Sequence, residues 1–119
     1  MGELRMGTAE ARFADMIWAN EPILSGELSK LANGEFGWKK TTSFTVLKRL
    51  CERGIFQNQN GTVTSLISRE AYYAHHSERY VEEAFGGSLP AFLAAFGTRK
   101  KLSDQEIDEI QGIIESMRR

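Results

Sequence analysis

The sequence predicts a mainly α fold with a small β-hairpin, in the order of a winged helix-turn-helix domain followed by further helices. Three observations carry this reading. Apolar residues recur at helical spacing in three successive segments before Gly54. The dipeptide Asn60-Gly61 then sits between two short runs of β-formers, a strong local hairpin signal. Helical spacing returns three times after the hairpin, with stripes that a domain already closed on itself leaves uncovered.

The first helix is predicted from about Ala9 to Ala19, with Thr8 as its N-cap and Phe13, Met16 and Ile17 on one face; Trp18 joins that face or borders it. Asn20-Glu21-Pro22 ends it, because a proline ring disfavours the α conformation in the residue before it. A second short helix starts at Ser25, carries Leu28 and Leu31, and stops at Asn33-Gly34. The third spans roughly Lys40 to Arg53, with Gly54 as its stop. Its inward stripe is Ser43, Val46, Leu47, Leu50 and Cys51. Thr41, Thr42, Thr45, Lys48 and Arg49 face away from it. Threonines are poor helix formers, so local propensity does not account for that surface.

Ile55 to Asn58, the turn Gln59-Asn60-Gly61, and Thr62 to Ile67 read as a two-stranded hairpin, which must lean on the helices to be stable. From Ser68 a helix offers Tyr72, Tyr73, His76, Tyr80, Val81, Ala84 and Phe85 for burial and ends at Gly86-Gly87. A shorter helix covers about Leu89 to Phe96, with Pro90 tolerated in its first turn. The last begins at the capping box Ser103-Asp104-Gln105-Glu106 and carries Ile107, Ile110, Ile113, Ile114 and Met117. These stripes imply a second copy of the chain. Tyr80, Phe85, Leu93, Phe96, Ile107, Ile110 and Ile114 are the residues expected at that contact. Residues 1–68 are accordingly expected to form the winged-helix domain and 69–119 the helical dimerisation region.

The 119 residues fit one ordinary domain, or a small domain with an oligomerisation segment, and 41% apolar with 26% charged residues is a globular composition. Neither a membrane-spanning run nor a signal-peptide pattern is present, so a cytoplasmic location without membrane association is expected. Cys51 is alone, which removes internal disulfides and thiolate metal clusters, and reads most simply as a small buried hydrophobe.

The net charge of −1 conceals a polarised distribution. Between Trp38 and Gly54 five cations, Lys39, Lys40, Lys48, Arg49 and Arg53, stand against Glu52 alone, a net of +4. From Ser103 onward five acids stand against Arg118 and Arg119, a net of −3. The basic middle coincides with the threonine face of the third helix. Thr41, Thr42 and Thr45 offer hydroxyls to phosphates or base edges and methyls to thymine, which suits a major groove in double-stranded DNA. Lys39, Lys40, Lys48 and Arg49 would mainly neutralise phosphates. On the hairpin, Gln57, Asn58, Gln59, Asn60 and Thr62 either reach the DNA backbone or minor groove or form a solvated turn.

Other chemistry is thinly represented. There is no glycine-rich phosphate loop, no HExxH motif and no nucleophile with a recognisable partner, so no enzyme and no cofactor are expected. His75 and His76 are neighbours on a helix, about 100° apart, and do not chelate as an i, i+4 pair would. That leaves only a metal site assembled across two copies, and none is assigned.

The pattern ending Ile17-Trp18, then Thr41-Thr42, Thr45 to Leu50 and Arg53-Gly54-Ile55, followed by Gly86-Gly87, Ala95-Phe96, Leu102-Ser103 and the acidic isoleucine-rich last helix, resembles the BlaI/MecI/CopY family of penicillinase-type repressors. The resemblance covers nearly the whole chain and lies in the order and spacing of the pieces. It implies a bacterial homodimer that binds a palindromic operator and represses transcription, with the C-terminal helices dimerising. In β-lactam-sensing members a membrane-embedded sensor-protease system inactivates the repressor by cutting an Asn-Phe bond. The matching bond here is Ala95-Phe96, with alanine in place of the asparagine. The cysteine cluster of copper-responsive members has no counterpart, since no cysteine follows Cys51. Two further departures concern the DNA-binding surface. Phe44 occupies a position where members often carry a polar or flexible side chain, which implies either another base preference or partial burial. The wing has no Lys or Arg between Ile55 and Ser68 and is expected to add less affinity, with less salt sensitivity.

A second class of function fits the near-neutral charge: a winged-helix interaction module that uses the acidic tail to recruit a partner without sequence-specific DNA binding.

Overall fold

The computed structural model describes residues 6–118; Arg119, counted above in the tail charge, lies outside the described residues, as do the first five positions of the expected N-terminal domain. The order of elements is α1 (Thr8–Asn20), β1 (Ile23–Leu24), α2 (Ser25–Phe36), α3 (Lys40–Glu52), β2 (Phe56–Gln59), β3 (Thr62–Ser65), α4 (Arg69–Phe85), α5 (Leu89–Arg99) and α6 (Asp104–Ser116). This is the mainly α winged-helix architecture with C-terminal helices. Two compact units divide the chain, one running to Ser77 and the other from Glu78.

In the first unit, α1 to α3 and the sheet enclose one core. Phe13, Ile17, Leu28, Leu50, Ile55, Phe56, Val63 and Tyr72 are almost wholly shielded from solvent, each worth roughly 1.5–3 kcal/mol of apolar burial. Trp18 borders this core, with ring centroids 5.1 Å from Phe56 and 5.8 Å from Tyr72. Charged anchors join the elements at the rim. Both carboxylate oxygens of Glu21 accept from Ser65, from its backbone N–H at 2.7 Å and its hydroxyl at 2.9 Å. Asp15 of α1 pairs with Arg69 of α4 at 2.8 Å.

The hairpin forms at the expected place. Asn60 and Gly61 take φ of 54° and 89°, the left-handed values that a two-residue turn requires, and Gln59 pairs with Thr62 across it. The sheet has a third strand that the sequence reading lacked: β1 pairs antiparallel with β3, giving the order β1-β3-β2. Two residues between a helix end and a helix start carry no period, yet Ile23 and Leu24 pair with Val63 and Thr62. Ser25 N–H then donates to the Gly61 carbonyl at 2.8 Å, fastening the start of α2 to the turn.

Several boundaries differ from expectation. Gly7, not Thr8, is the N-cap of α1, and its N–H donates to Glu10 at 3.2 Å. α2 does not stop at Asn33-Gly34 but runs to Phe36, where Gly37 at φ 71° ends it and donates to the Asn33 carbonyl. The extra turn is held because Phe36 packs on Trp38 at 5.0 Å. Leu31 is exposed rather than inward, and Cys51 is half-buried.

In the second unit, α5 continues past Phe96 to Arg99, and Ser88 caps it by accepting from Ala91 N–H at 3.0 Å. The predicted capping box on α6 is present: Ser103 Oγ accepts from Glu106 N–H at 3.1 Å and Glu106 accepts from Ser103 N–H at 3.1 Å. Tyr80, Phe85, Phe92 and Phe96 form a ladder of ring contacts with centroids 5.7–6.2 Å apart. This ladder supplies no sealed core. Of the α4 residues expected to be buried, only Tyr72 is; Tyr73, His76, Val81 and Phe85 are half-buried, and Tyr80 and Ala84 are exposed. Among the described residues none of α5 or α6 is buried: the ring ladder only half-covers Phe92, and Phe96, Ile107, Ile113 and Ile114 remain exposed. Among the described residues no helix is long and apolar enough to cross a membrane.

Candidate nucleic-acid interface

α3 owes its position to its own stripe. Ser43, Val46, Leu47 and Leu50 are buried, and Ser43 satisfies its hydroxyl on the Lys40 carbonyl at 2.9 Å. The turn before it is fixed by Asn33, whose side-chain amide donates to the Trp38 carbonyl at 3.0 Å, while Trp38 packs at a tilt on Phe13, with ring centroids 5.2 Å apart. With the stripe anchored, the opposite face is presented to solvent. Lys39, Lys40, Thr41, Thr42, Thr45, Lys48 and Arg49 are all exposed, as the sequence predicted. Thr41, Thr42, Thr45 and Arg49, with Val46 behind them, line a shallow hollow on this face.

The members of the surface are not equivalent. Thr45 donates its hydroxyl to the Thr41 carbonyl at 2.9 Å, so its free capacity is as an acceptor and as a methyl. Phe44 is half-buried against the core, and Lys40 lies with its ammonium 5.8 Å from the ring centroid. Of the two readings of Phe44, this geometry is that of partial burial.

Arg49 is committed in part to the protein itself. Its Nη1 lies 2.8 Å from Glu10 of α1, and Arg53 reaches the other oxygen of the same carboxylate at 3.2 Å. Burial would raise the Glu10 pKa, but the Gly7 amide and the two guanidiniums outweigh it and hold the carboxyl below its ordinary value. Glu10 was missed from sequence because it lies 39 residues from Arg49. The one available signal was its place in the first turn of α1.

The hairpin residues divide. Gln57 donates across the strands to Thr64 Oγ1 at 3.1 Å, and Asn58 accepts from Gly61 N–H at 3.0 Å, so both are engaged within the wing. Gln59 is exposed and Thr62 half-exposed, the two assigned residues at the tip. Outside this surface, His76 stacks on Tyr72 with centroids 5.9 Å apart, and the Cys51 thiol is pushed up by burial and by Glu52. Among the described residues no group of three or more His, Cys, Asp or Glu is arranged to hold a metal ion.

A family profile described as penicillinase repressor matches residues 6–116. The penicillinase repressor of Bacillus licheniformis is 26% identical over 115 residues, covering 93% of this chain and 90% of that relative. The match spans the α3 surface, the wing and the C-terminal helices alike.

Proposed function

The chain belongs to the penicillinase repressor family, and from that premise we propose that it represses transcription as a cytoplasmic bacterial homodimer on a palindromic operator, with α3 in the major groove. The observation that carries the reading is the exposed α3 face, where cations and threonines share one side of a helix anchored by its other side. Lys39, Lys40 and Lys48 neutralise phosphates and Thr41, Thr42 and Thr45 meet the groove; Arg49, expected from sequence among the phosphate contacts, is assigned to the groove instead because Glu10 already meets part of its charge. Gln57, Gln59 and Thr62 belong to a wing that contributes little charge. Residues 69–119 dimerise, supported by the exposure of Tyr80, Phe96, Ile107 and Ile114 on helices without a sealed core. Two copies would meet half-sites about 34–36 Å apart, or a multiple of that. Ala95-Phe96 is the bond at which a sensor-protease would act, with alanine where the family's cleaved bond has asparagine and with Phe96 itself in the proposed dimer contact. This is the reading of a regulator rather than of an enzyme.

A gel-shift titration on the DNA upstream of its own gene tests the proposal. A retarded complex that fades with rising salt is expected. No complex even with generic DNA at low salt would favour the protein-interaction module instead.

A further inference from the structure

Arg49 stands out among the cations of α3 because an acid on another helix holds it. The Glu10 side chain is 13% exposed and that of Arg49 is 49% exposed, so the pair shields the Glu10 side chain and leaves that of Arg49 half-exposed at the surface that carries Thr42 and Thr45. The Gly7 amide fixes the same carboxylate from the start of α1, and Arg53, one turn further along α3, closes on its second oxygen. A guanidinium has several N–H donors in a rigid fork, so the nitrogen given to Glu10 leaves others for a base edge or a phosphate.

We propose that Glu10 is a specificity-determining positioning residue: it holds Arg49 in one orientation and offsets its charge, weakening binding to arbitrary DNA more than binding to the operator. The inference rests on the DNA-binding reading of α3. Arbitrary DNA is bound through cations that neutralise phosphates, each adding about 0.9 to the slope of log K against log salt. One carboxylate between two guanidiniums cancels one of their two charges, so Arg49 and Arg53 together give that slope one charge fewer than they would without Glu10. Operator binding also draws on directed hydrogen bonds, and a side chain already held in place loses less freedom in making them. The ion pair therefore lowers the general contribution and favours the directed one.

The test compares wild type, Glu10→Gln and the double variant Glu10→Gln/Arg49→Gln. Affinity is measured against salt on a mixed-sequence duplex and on a duplex that the wild type enriches from a random pool. Glu10→Gln should steepen the slope on the mixed-sequence duplex by up to about 0.9 and reduce the preference for the enriched duplex several-fold, and the double variant should give up that gain. A role confined to stability would lower the Tm and leave slope and preference alone. Should Glu10→Gln fail to fold, Arg49→Lys decides: it keeps the charge and removes the fork, so it should reduce the preference for the enriched duplex several-fold and leave the mixed-sequence slope unchanged, and an unchanged preference overturns the proposal. Wild-type values in Glu10→Gln, or a gain that persists in the double variant, overturn it too. Wild type that binds neither duplex overturns the DNA-binding reading and this inference with it.

Discussion

The indole N–H of Trp18 donates to the Ile67 carbonyl at 3.0 Å, joining α1 to the chain just beyond β3. The contact ties the wing's exit to the helix beneath it, with Phe56 and Tyr72 packed on the same indole. Trp18→Phe keeps an aromatic ring and removes the donor, leaving a partly buried carbonyl unpaired. A loss of about 1–2 kcal/mol is expected in chemical denaturation. A loss below a few tenths of a kcal/mol would mean that the bond does not hold the wing.

The carboxyl of Glu10 ionises more readily in the folded chain than its ordinary value of 4.5. Burial opposes ionisation, and the Gly7 amide with Arg49 and Arg53 overcomes it. Its pKa is lowered on folding, so its stabilising contribution is fully present above the unfolded value and is lost as pH falls through the folded one. In denaturation titrations carried below 4.5, the difference between wild type and Glu10→Gln should shrink toward acid. A difference that grows with acidity would contradict the ion pairs.

On α3, Lys48 and Thr42 should fail in different ways. Lys48→Ala is expected to lower the salt slope by about 0.9 on any duplex, since it removes a proposed phosphate contact. Thr42→Ala should cost on the order of 1 kcal/mol on the operator and leave the slope alone, since it removes a proposed base-edge contact. Salt-dependent fluorescence anisotropy on both duplexes separates them.

Ile114 of α6 is 46% exposed on the apolar stripe it shares with Ile107 and Ile110. Ile114→Asp places a carboxylate in the proposed interface, at a cost of at least about 2–3 kcal/mol to the dimer. Sedimentation equilibrium should find the variant monomeric at concentrations where the wild type is a dimer. An unchanged mass would move the interface elsewhere.

How far these features were legible in the sequence follows from how local their causes are. The stripe of α3, the Asn60-Gly61 turn and the Ser103–Glu106 box are each set within a few residues, and each stands where the sequence placed it. The same local rules misplaced the end of α2, because a glycine inside a helix is tolerated when the next turn has an aromatic contact to hold it, here Phe36 on Trp38. β1 exists only by pairing with a strand nearly forty residues away, and two residues have no pattern of their own. Glu10 belongs to the same class. Its charge was visible, but its partners lie on another helix, so Arg49 looked like a free cation until α1 and α3 were packed together. Burial was overread on α4 for a related reason: an apolar stripe marks a face that wants covering and does not say whether this chain covers it.

In the proposed dimer the two α3 faces hold two symmetric half-sites. Hydroxyl-radical footprinting of the DNA upstream of the gene, with wild type and the Thr42→Ala/Arg49→Ala variant, addresses this most directly. Two protected half-sites about 34–36 Å apart or a multiple of that are predicted at low salt, both lost together in the variant. Protection that survives the double substitution, or that covers a single site without symmetry, would contradict it.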